Sequence, residues 1–282
     1  DRIIRPDQLM TAAINAMRVL TDPAETGAVC LCLPQDVQAE AMDYPLSFFK
    51  RRVHRLTRRP LEIGATHQAT KLILGKQKPM LICGGGVRYS DAGEVLAAFA
   101  EKCNVAFCET HAGKSVIPWH HPLNMGAVGV TGTLAANEIS HQSDLVIAVG
   151  TRLNDFHTAS KWTFHNPLLE LLSINVSNFD AYKMDAVPLV ADAREALEAI
   201  AEMLCGQGYQ SKWGEQPKAL RDQWIKEVDR LYRHDNASGY AQTRVIGQLN
   251  NGLIAEDAIV VAASGSLPSD LERLWRVTRP NT

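Results

Sequence analysis

The stretch PMLICGGGVRYSDAGEVLAAFAEKCNVAFCET, Pro79–Thr110, decides the fold. Two short apolar runs enclose three glycines and an amphipathic run, which is the pattern of a strand, a tight turn, a helix and a second strand. Such a βαβ unit joins two parallel strands. In chain order we predict strand Met80–Cys83, a turn at Gly84–Gly86, helix Ala92–Lys102 with Ser90 as its N-cap, and strand Val105–Cys108.

The same alternation of strand and helix continues in both directions over residues 61–205. The strands are apolar along their length, as in a parallel sheet that helices cover on both faces. We therefore predict an α/β fold with a complete Rossmann-like middle domain. Its further elements are helix 66–76, helix Thr133–Ser140, strand Asp144–Gly150, strands Leu171–Val176 and Ala186–Ala191, and helix Ala193–Leu204 with Asp192 as its N-cap.

The two ends of the chain hold elements that cannot bury their faces alone. Residues 7–20 read as a helix and residues 28–34 (AVCLCLP) as a buried strand; helices at 217–233 and 243–249 precede a second buried strand at 258–263 (AIVVAA). Neither set is large enough for a sheet with a core of its own. We expect partial α/β domains on both sides of the middle domain, and hence a fragment of a longer protein.

The composition restricts the partners of the protein. Apolar residues make up 46% and charged residues 21% of 282, enough for a packed core. The net charge of −2 gives no general attraction to nucleic acid or anionic lipid, and no apolar run approaches the ~20 residues of a membrane span. We expect a cytoplasmic protein with no nucleic-acid or membrane partner. The six cysteines form no CxxC pair, so buried, reduced thiols are expected.

A basic run, KRRVHRLTRR at residues 50–59, separates the first elements from the middle domain. Such a run is either a solvated connector or a scaffold for a polyanion. No aromatic ladder or basic fold surrounds it, which favours the connector.

The three glycines of the opening stretch raise the question of a phosphate site. A dinucleotide-binding fingerprint would follow Gly84 and Gly86 with a third glycine, where this chain has Tyr89. Glycines at a strand-to-helix turn also allow positive φ and close packing. The residues leave both interpretations open.

Two other stretches could contribute to a nucleotide site. Gly132 and Thr133 lead into a helix whose first N–H groups attract anions. Gly150 and Arg152 follow the most apolar strand, where open α/β sheets bind ligands. Arg152 either clamps a phosphate or forms an ion pair with Asp155.

Longer segments carry a more specific signal. The chain resembles the thiamine-diphosphate-dependent enzymes related to acetolactate synthase and pyruvate oxidase. The segments that carry this resemblance are LPQDV at 33–37, GVTGT at 129–133, GTRLND at 150–155 and IVVAASGSLP at 259–268, with the basic connector between the first two. Within that family, the chain resembles a branch of ring-opening hydrolases of myo-inositol catabolism. The segments that favour this branch are CLPQDVQAEAMDYP, ETHAGKSVIPWHHPLNMGAVGVTGTLAAN, NVSNFDAYK and AASGSLPSDLERLWR. The resemblance covers essentially the whole chain.

The resemblance implies a domain order. It assigns 1–46 to the end of a pyrimidine-binding domain, 47–60 to the basic linker, 61–205 to the Rossmann-like middle domain, 206–216 to a second linker and 217–282 to the start of a diphosphate-binding domain.

The resemblance also implies thiamine diphosphate and Mg²⁺ as cofactors, a small cyclic diketone as substrate, and a homodimer or homotetramer for the complete enzyme. No residue here matches the family's activating glutamate or its Gly-Asp-Gly metal motif, so we assign no catalytic or metal-binding residue and expect the 282 residues alone to be inactive. The turn expected to help seat the diphosphate is Ser264, Gly265, Ser266 and Leu267.

Flavin- or ADP-binding relatives use a crevice of the middle domain. The positions that would form it here are Gly84, Gly85, Gly132, Thr133, Gly150 and Arg152. The ring-opening branch is not expected to need flavin, so we expect a vestigial crevice with neither FAD nor ADP. The alternatives are an FAD-binding enzyme of the acetolactate synthase or pyruvate oxidase kind and a stand-alone nucleotide-binding module.

Overall fold

The computed structural model describes residues 1–282. The chain forms two compact units, Asp1–Arg59 and Pro60–Thr282. No helix combines the length and the apolar surface that crossing a lipid bilayer requires.

The first unit is built on helix α1, Gln8–Thr21, and a short helix α2, Gln35–Gln38, followed by a 3₁₀ turn at Leu46–Phe49. Its small core contains Ala12 from α1 and Val37 from α2. The predicted helix at 7–20 is thus present.

The buried strand predicted at residues 28–34 is wrong. Only one β-bridge forms there, between Arg2 and Cys32, and the exposed thiols of Cys30 and Cys32 lie 3.8 Å apart. No second strand lies beside this segment within the unit, so a regular ladder has no partner. Cys205 is exposed as well, so only three of the six thiols are buried as expected.

The second unit is centred on one parallel sheet. Its strands are β1 Pro79–Cys83, β2 Ala106–Glu109, β3 Asn124–Ala127, β4 Leu145–Val149, β5 Glu170–Asn175 and β6 Val187–Val190. Their order across the sheet is β3-β2-β1-β4-β5-β6, and every pairing is parallel. The predicted Rossmann-like sheet is confirmed.

Helices cover both faces of the sheet. They are α3 Ile63–Leu74, α4 Gly85–Tyr89, α5 Gly93–Cys103, α6 Leu134–Gln142, α7 Asp155–Thr158, α8 Asn178–Ala181 and α9 Ala193–Gly206, with 3₁₀ turns at His111–Gly113 and Lys183–Asp185.

Strand β1 shows how the strand period builds a core on each face. Its side chains point alternately to opposite sides of the sheet. Leu81 lies in the apolar cluster that includes Phe99 of α5, whereas Met80 and Ile82 lie in the cluster that includes Ile139 of α6. All five residues of β1 are buried, as its uninterrupted apolar sequence predicts.

The last part of the chain is mostly helical. It contains α10 Gln216–Leu231, a small hairpin of β7 Asp235–Asn236 and β8 Gly239–Tyr240, α11 Gln242–Gln248, a π-helical turn Leu249–Leu253 and α12 Ser266–Leu274.

The buried strand predicted at residues 258–263 is wrong. The segment has irregular backbone, and the side chains of Ile259 and Val261 are exposed. No strand of the chain pairs with it, and an apolar sequence without a ladder partner does not form a buried strand.

The N-cap predicted at Ser90 is also wrong. Ser90 ends α4, and α5 begins after Ala92. The Ser90 hydroxyl instead donates to Asp192 Oδ1 at 2.5 Å. Asp192 Oδ1 also accepts from the N–H of Arg194 at 3.0 Å, which confirms Asp192 as the N-cap of α9.

Candidate functional site

Ligands of open parallel sheets bind outside the carboxyl ends of the strands, where the strand order reverses. Here that point lies between β1 and β4, because the chain continues from β1 to β2 on one side and β4 pairs on the other. The loops after these two strands hold Gly84–Gly86, Gly150 and Arg152. Several of the predicted site residues therefore do lie at the expected edge.

At the point where the strand order reverses, the backbone of the glycine loops after β1 and β4 occupies the space that a ligand would need. The N–H of Gly84 donates to the carbonyl of Val149, and the N–H of Gly86 to the carbonyl of Gly150, both at 2.9 Å. A Cβ on Gly86 would lie 2.6 Å from the Cα of Gly150, which itself has φ +60°. Only residues without a side chain allow this approach. Two N–H groups that a phosphate cradle would offer are therefore already bonded.

The short helix α4 that follows is tied to the loop after β2. A Cβ on Gly85 would lie 3.1 Å from the Cβ of Ala112 in that loop. Arg88 Nη2 donates to Ser115 Oγ at 2.9 Å. The only basic side chain of α4 thus links the helix to the loop after β2.

The loop before α6 is closed by its own hydrogen bonds. The Thr133 hydroxyl donates to the carbonyl of Met125 at 2.6 Å and accepts from the N–H of Ala136 at 3.0 Å. The N–H of Gly132 donates to the carbonyl of Gly129 at 3.0 Å. The capping hydroxyl thus takes one of the N–H groups that an anion at this helix would use.

Arg152 has an exposed side chain and forms no ion pair with Asp155. Its backbone carbonyl accepts from Lys183 Nζ at 3.4 Å. The rings of Phe156 and Phe179 are also exposed, after β4 and β5. This edge thus presents a guanidinium that can bind a phosphate and aromatic rings that can contact a flat ligand.

The turn Ser264–Leu267 is exposed and begins α12. Gly265 has φ +128°, and no side chain caps the first N–H groups of this nine-residue helix. Uncapped N–H groups at a helix start suit an anion such as a diphosphate. No hydrogen bond or ion pair joins this turn to Gly84, Thr133 or Arg152, the residues predicted for the crevice of the middle domain.

A polar cluster that the sequence did not indicate lies where α12 meets the loops after β2 and β3. Glu109 Oε1 and Lys114 Nζ pair at 3.1 Å, and Glu272 of α12 accepts a hydrogen bond from the Thr131 hydroxyl. His111 Nδ1 lies 3.9 Å from Glu272 Oε2. Thr131 precedes Glu272 by 141 residues, so no local pattern could have revealed the contact.

Burial favours the uncharged forms of two groups at this edge. Glu272 is 2% exposed, and burial raises its pKa against the opposing effects of the Thr131 hydrogen bond and the His111 charge. His157 of α7 has its Nδ1 buried without a partner. Burial, with the charges of His111 and Arg152, lowers the pKa of His157.

Comparison with known proteins identifies the sheet and its helices. Residues 66–200 match the family model described as thiamine pyrophosphate enzyme, central domain. This part of the chain is such a central domain. The resemblance to thiamine-diphosphate-dependent enzymes is thereby confirmed, and the central domain includes all six strands of the parallel sheet.

Curated relatives match beyond the central domain. The proteins named 3D-(3,5/4)-trihydroxycyclohexane-1,2-dione hydrolase from Clostridium tetani and Bacillus cereus are 49% identical to this chain, and that from Geobacillus thermodenitrificans is 50% identical. Each alignment covers 100% of this chain and 47% of the relative. The chain therefore spans about half the length of the curated relatives it matches.

Proposed function

We propose that this chain is part of a thiamine-diphosphate-dependent hydrolase that opens the ring of 3D-(3,5/4)-trihydroxycyclohexane-1,2-dione in myo-inositol catabolism. One observation carries the proposal: over the whole chain, about half of the aligned residues are identical to those of hydrolases of that name. The central domain supports the cofactor class. The complete enzyme is then a cytoplasmic homodimer or homotetramer acting on a small cyclic diketone.

The proposal includes the domain division predicted from the sequence. Residues 1–46 end a pyrimidine-binding domain and 217–282 begin a diphosphate-binding domain, with linkers at 47–60 and 206–216 around the middle domain at 61–205. In support, α12 follows an apolar segment that lacks strand partners within this chain.

The residues of the Ser264–Leu267 turn fit a diphosphate. Its exposed backbone and the uncapped N–H groups of α12 offer donors and a positive dipole end. Thiamine diphosphate, when bound, supplies the carbon nucleophile that makes carbon–carbon cleavage possible. The chain's own part is to orient the diphosphate, and Mg²⁺ ligands and the activating glutamate are assigned to no residue here. We therefore propose that the 282 residues are inactive alone.

The glycines of the central domain serve packing in this proposal. Gly84 and Gly86 use their N–H groups within the protein, and Thr133 caps its own helix. An FAD or ADP phosphate would have to displace these bonds, so neither ligand is expected.

A second candidate is a nucleotide-binding function of the acetolactate synthase or pyruvate oxidase kind. The exposed guanidinium of Arg152 and the exposed rings of Phe156 and Phe179, all of which follow the carboxyl ends of β4 and β5, favour it. A flavin or adenine ring could stack there while Arg152 binds a phosphate.

A chimera tests the proposed function. The aligned half of the Clostridium tetani relative is replaced by residues 1–282, and the purified protein is given thiamine diphosphate, Mg²⁺ and the cyclic diketone. We expect loss of the diketone with formation of an open-chain acid, at a rate within about tenfold of the parent enzyme because the two halves must repack. The 282-residue chain alone serves as the inactive control.

Two results would contradict the proposal. A folded, cofactor-binding chimera that leaves the diketone intact but consumes pyruvate would favour the second candidate, particularly if it is purified yellow with flavin. Turnover by the 282 residues alone would show that they contain an active site that the proposal denies.

A further inference from the structure

The end of the chain is fastened to the central domain by a few hydrogen bonds. The N–H of Trp119 donates to the carbonyl of Val277 at 2.9 Å, and the N–H of Asn281 donates to the carbonyl of Ser115 at 2.7 Å. Both bonds lie beyond the C-terminal end of α12. Helix α12 itself is linked to the central domain through the hydroxyl of Thr131 and the carboxyl of Glu272.

The carboxyl of Glu272 is poorly suited to carry a charge in this position. Its side chain is almost fully buried, Oε2 accepts one hydrogen bond from Thr131, and Oε1 has no partner. A buried carboxylate with one hydrogen bond and no close cation costs far more free energy than an uncharged carboxylic acid in the same position.

The charged groups around Glu272 do not offer it a strong partner. His111, after β2, is the nearest at 3.9 Å, and its side chain is mostly exposed. Arg221 of α10 donates to the carbonyl of Trp119 instead. The other cations around this cavity are paired with carboxylates: Lys114 with Glu109, Arg273 with Asp270, and Arg276 with Asp229.

We propose that Glu272 is a positioning residue that, in its protonated form, fastens α12 to the central domain and so places the Ser264–Leu267 turn at the start of that helix. The placement of the turn for a diphosphate rests on the proposed function. The attachment of the helix does not.

The uncharged carboxyl keeps the one hydrogen bond that this position offers. Glu272 lines a cavity of about 50 Å³ together with Glu109 and Lys114, which are paired with each other. When Glu272 is protonated, Oε2 keeps its bond from Thr131 and no charge is buried. Ionisation buries a negative charge whose Oε1 has no partner, so it weakens the attachment of α12.

The direction of the pH effect follows from the raised pKa of Glu272. The folded protein holds this proton more tightly than the unfolded chain, whose carboxyl titrates near 4.5. The stabilisation is therefore complete below about pH 4.5 and is lost as the pH rises through the folded pKa.

Hydrogen exchange of the α12 amides in the 282-residue chain tests the attachment. Glu272→Gln keeps the shape and removes the charge; Glu202→Gln, at an exposed position of α9, is the matched control. We expect wild type and Glu272→Gln to exchange within about twofold of each other at pH 5, and wild type to exchange about tenfold faster than Glu272→Gln at pH 9, because a buried charge without a partner weakens the attachment of α12.

Comparing wild type and variants at the same pH removes the effect of the other titrating groups on the exchange rates. Burial lowers the pKa of His121, His141 and His157, and all variants share that contribution. Glu202→Gln should follow wild type at both pH values. A ratio of wild type to Glu272→Gln that stays the same at pH 5 and pH 9 would overturn the proposal.

The Glu272→Ala variant tests the attachment of α12 separately from the placement of the Ser264–Leu267 turn. In the 282-residue chain it should speed α12 exchange at both pH values. In the chimera it should raise the thiamine diphosphate concentration for half-saturation about tenfold, while Glu272→Gln stays within about twofold. Unchanged half-saturation with faster exchange would refute the placement of the turn and leave the attachment standing. A chimera that binds no thiamine diphosphate would refute the proposed function, and the exchange data would still decide on the attachment.

Discussion

At the scale of single residues, glycine serves two purposes at the carboxyl edge of the sheet. A phosphate cradle and a close approach of two backbones both require a residue without Cβ, so the sequence left the two interpretations of Gly84 and Gly86 open. The hydrogen bonds distinguish them, because both N–H groups donate to carbonyls at the end of β4. Packing accounts for these positions without a ligand.

Gly84→Ala should therefore destabilise the chain. The new Cβ would lie 2.7 Å from the Cβ of Thr151 and closer still to the carbonyl of Gly150, and backbone there cannot move without breaking the ladder of β4. We expect a loss of about 1–3 kcal/mol in the free energy of unfolding, measured by urea titration.

Gly206→Ala is the control, since no atom lies within 4 Å of its added Cβ at the end of α9. Alanine there should leave stability unchanged or raise it by up to about 1 kcal/mol. If Gly84→Ala unfolds at the same urea concentration as wild type, the packing explanation is incorrect.

At the scale of elements, the sequence predicted the strands whose own residues form a clear apolar run. Strands β1 and β4 are uninterrupted apolar runs and appear within one residue of their predicted bounds. Strand β3 (Asn124–Ala127) was not predicted because its four residues, NMGA, are too few to show a pattern and include a glycine; its pairing with β2 makes it a strand. The segment 258–263 shows the converse, since its apolar run forms no strand without a partner. Pairing across the chain is what local patterns omit.

The start of α9 provides a prediction for one element. Asp192 caps this helix and accepts from the buried hydroxyl of Ser90, so Asp192→Ala removes a cap and leaves that hydroxyl without this acceptor. We expect a loss of about 1–2 kcal/mol, the cost of removing a cap, because the Ser90 hydroxyl still accepts from the N–H of Arg194. The free energy of unfolding from urea titration measures it. Glu215→Ala, at the N-cap of α10 where no side-chain bond forms, should change stability by less than about 0.5 kcal/mol; equal losses in the two variants would contradict the assigned cap.

At the scale of the whole molecule, long motifs predicted more of the function than any short one. The glycine motif alone did not distinguish a binding site from a turn, whereas several segments of unusual sequence indicated the family that residues 66–200 match. The same segments could not reveal the contact of Thr131 with Glu272, which depends on the complete fold. The roles of the Ser264–Leu267 turn and of Arg152 remain predictions.

The last prediction concerns what the central domain binds. A ligand at one hundred times its dissociation constant adds about 2.7 kcal/mol to the free energy of unfolding, which is readily measured as a raised thermal midpoint. Because Gly84, Gly86 and Thr133 use their donors internally, we expect FAD, ADP and NAD each to leave the midpoint of the 282-residue chain unchanged. A raised midpoint with FAD or ADP that Arg152→Ala abolishes would instead show a working nucleotide site at the ends of β4 and β5, and the flavin-binding relatives would then be the better guide to the activity.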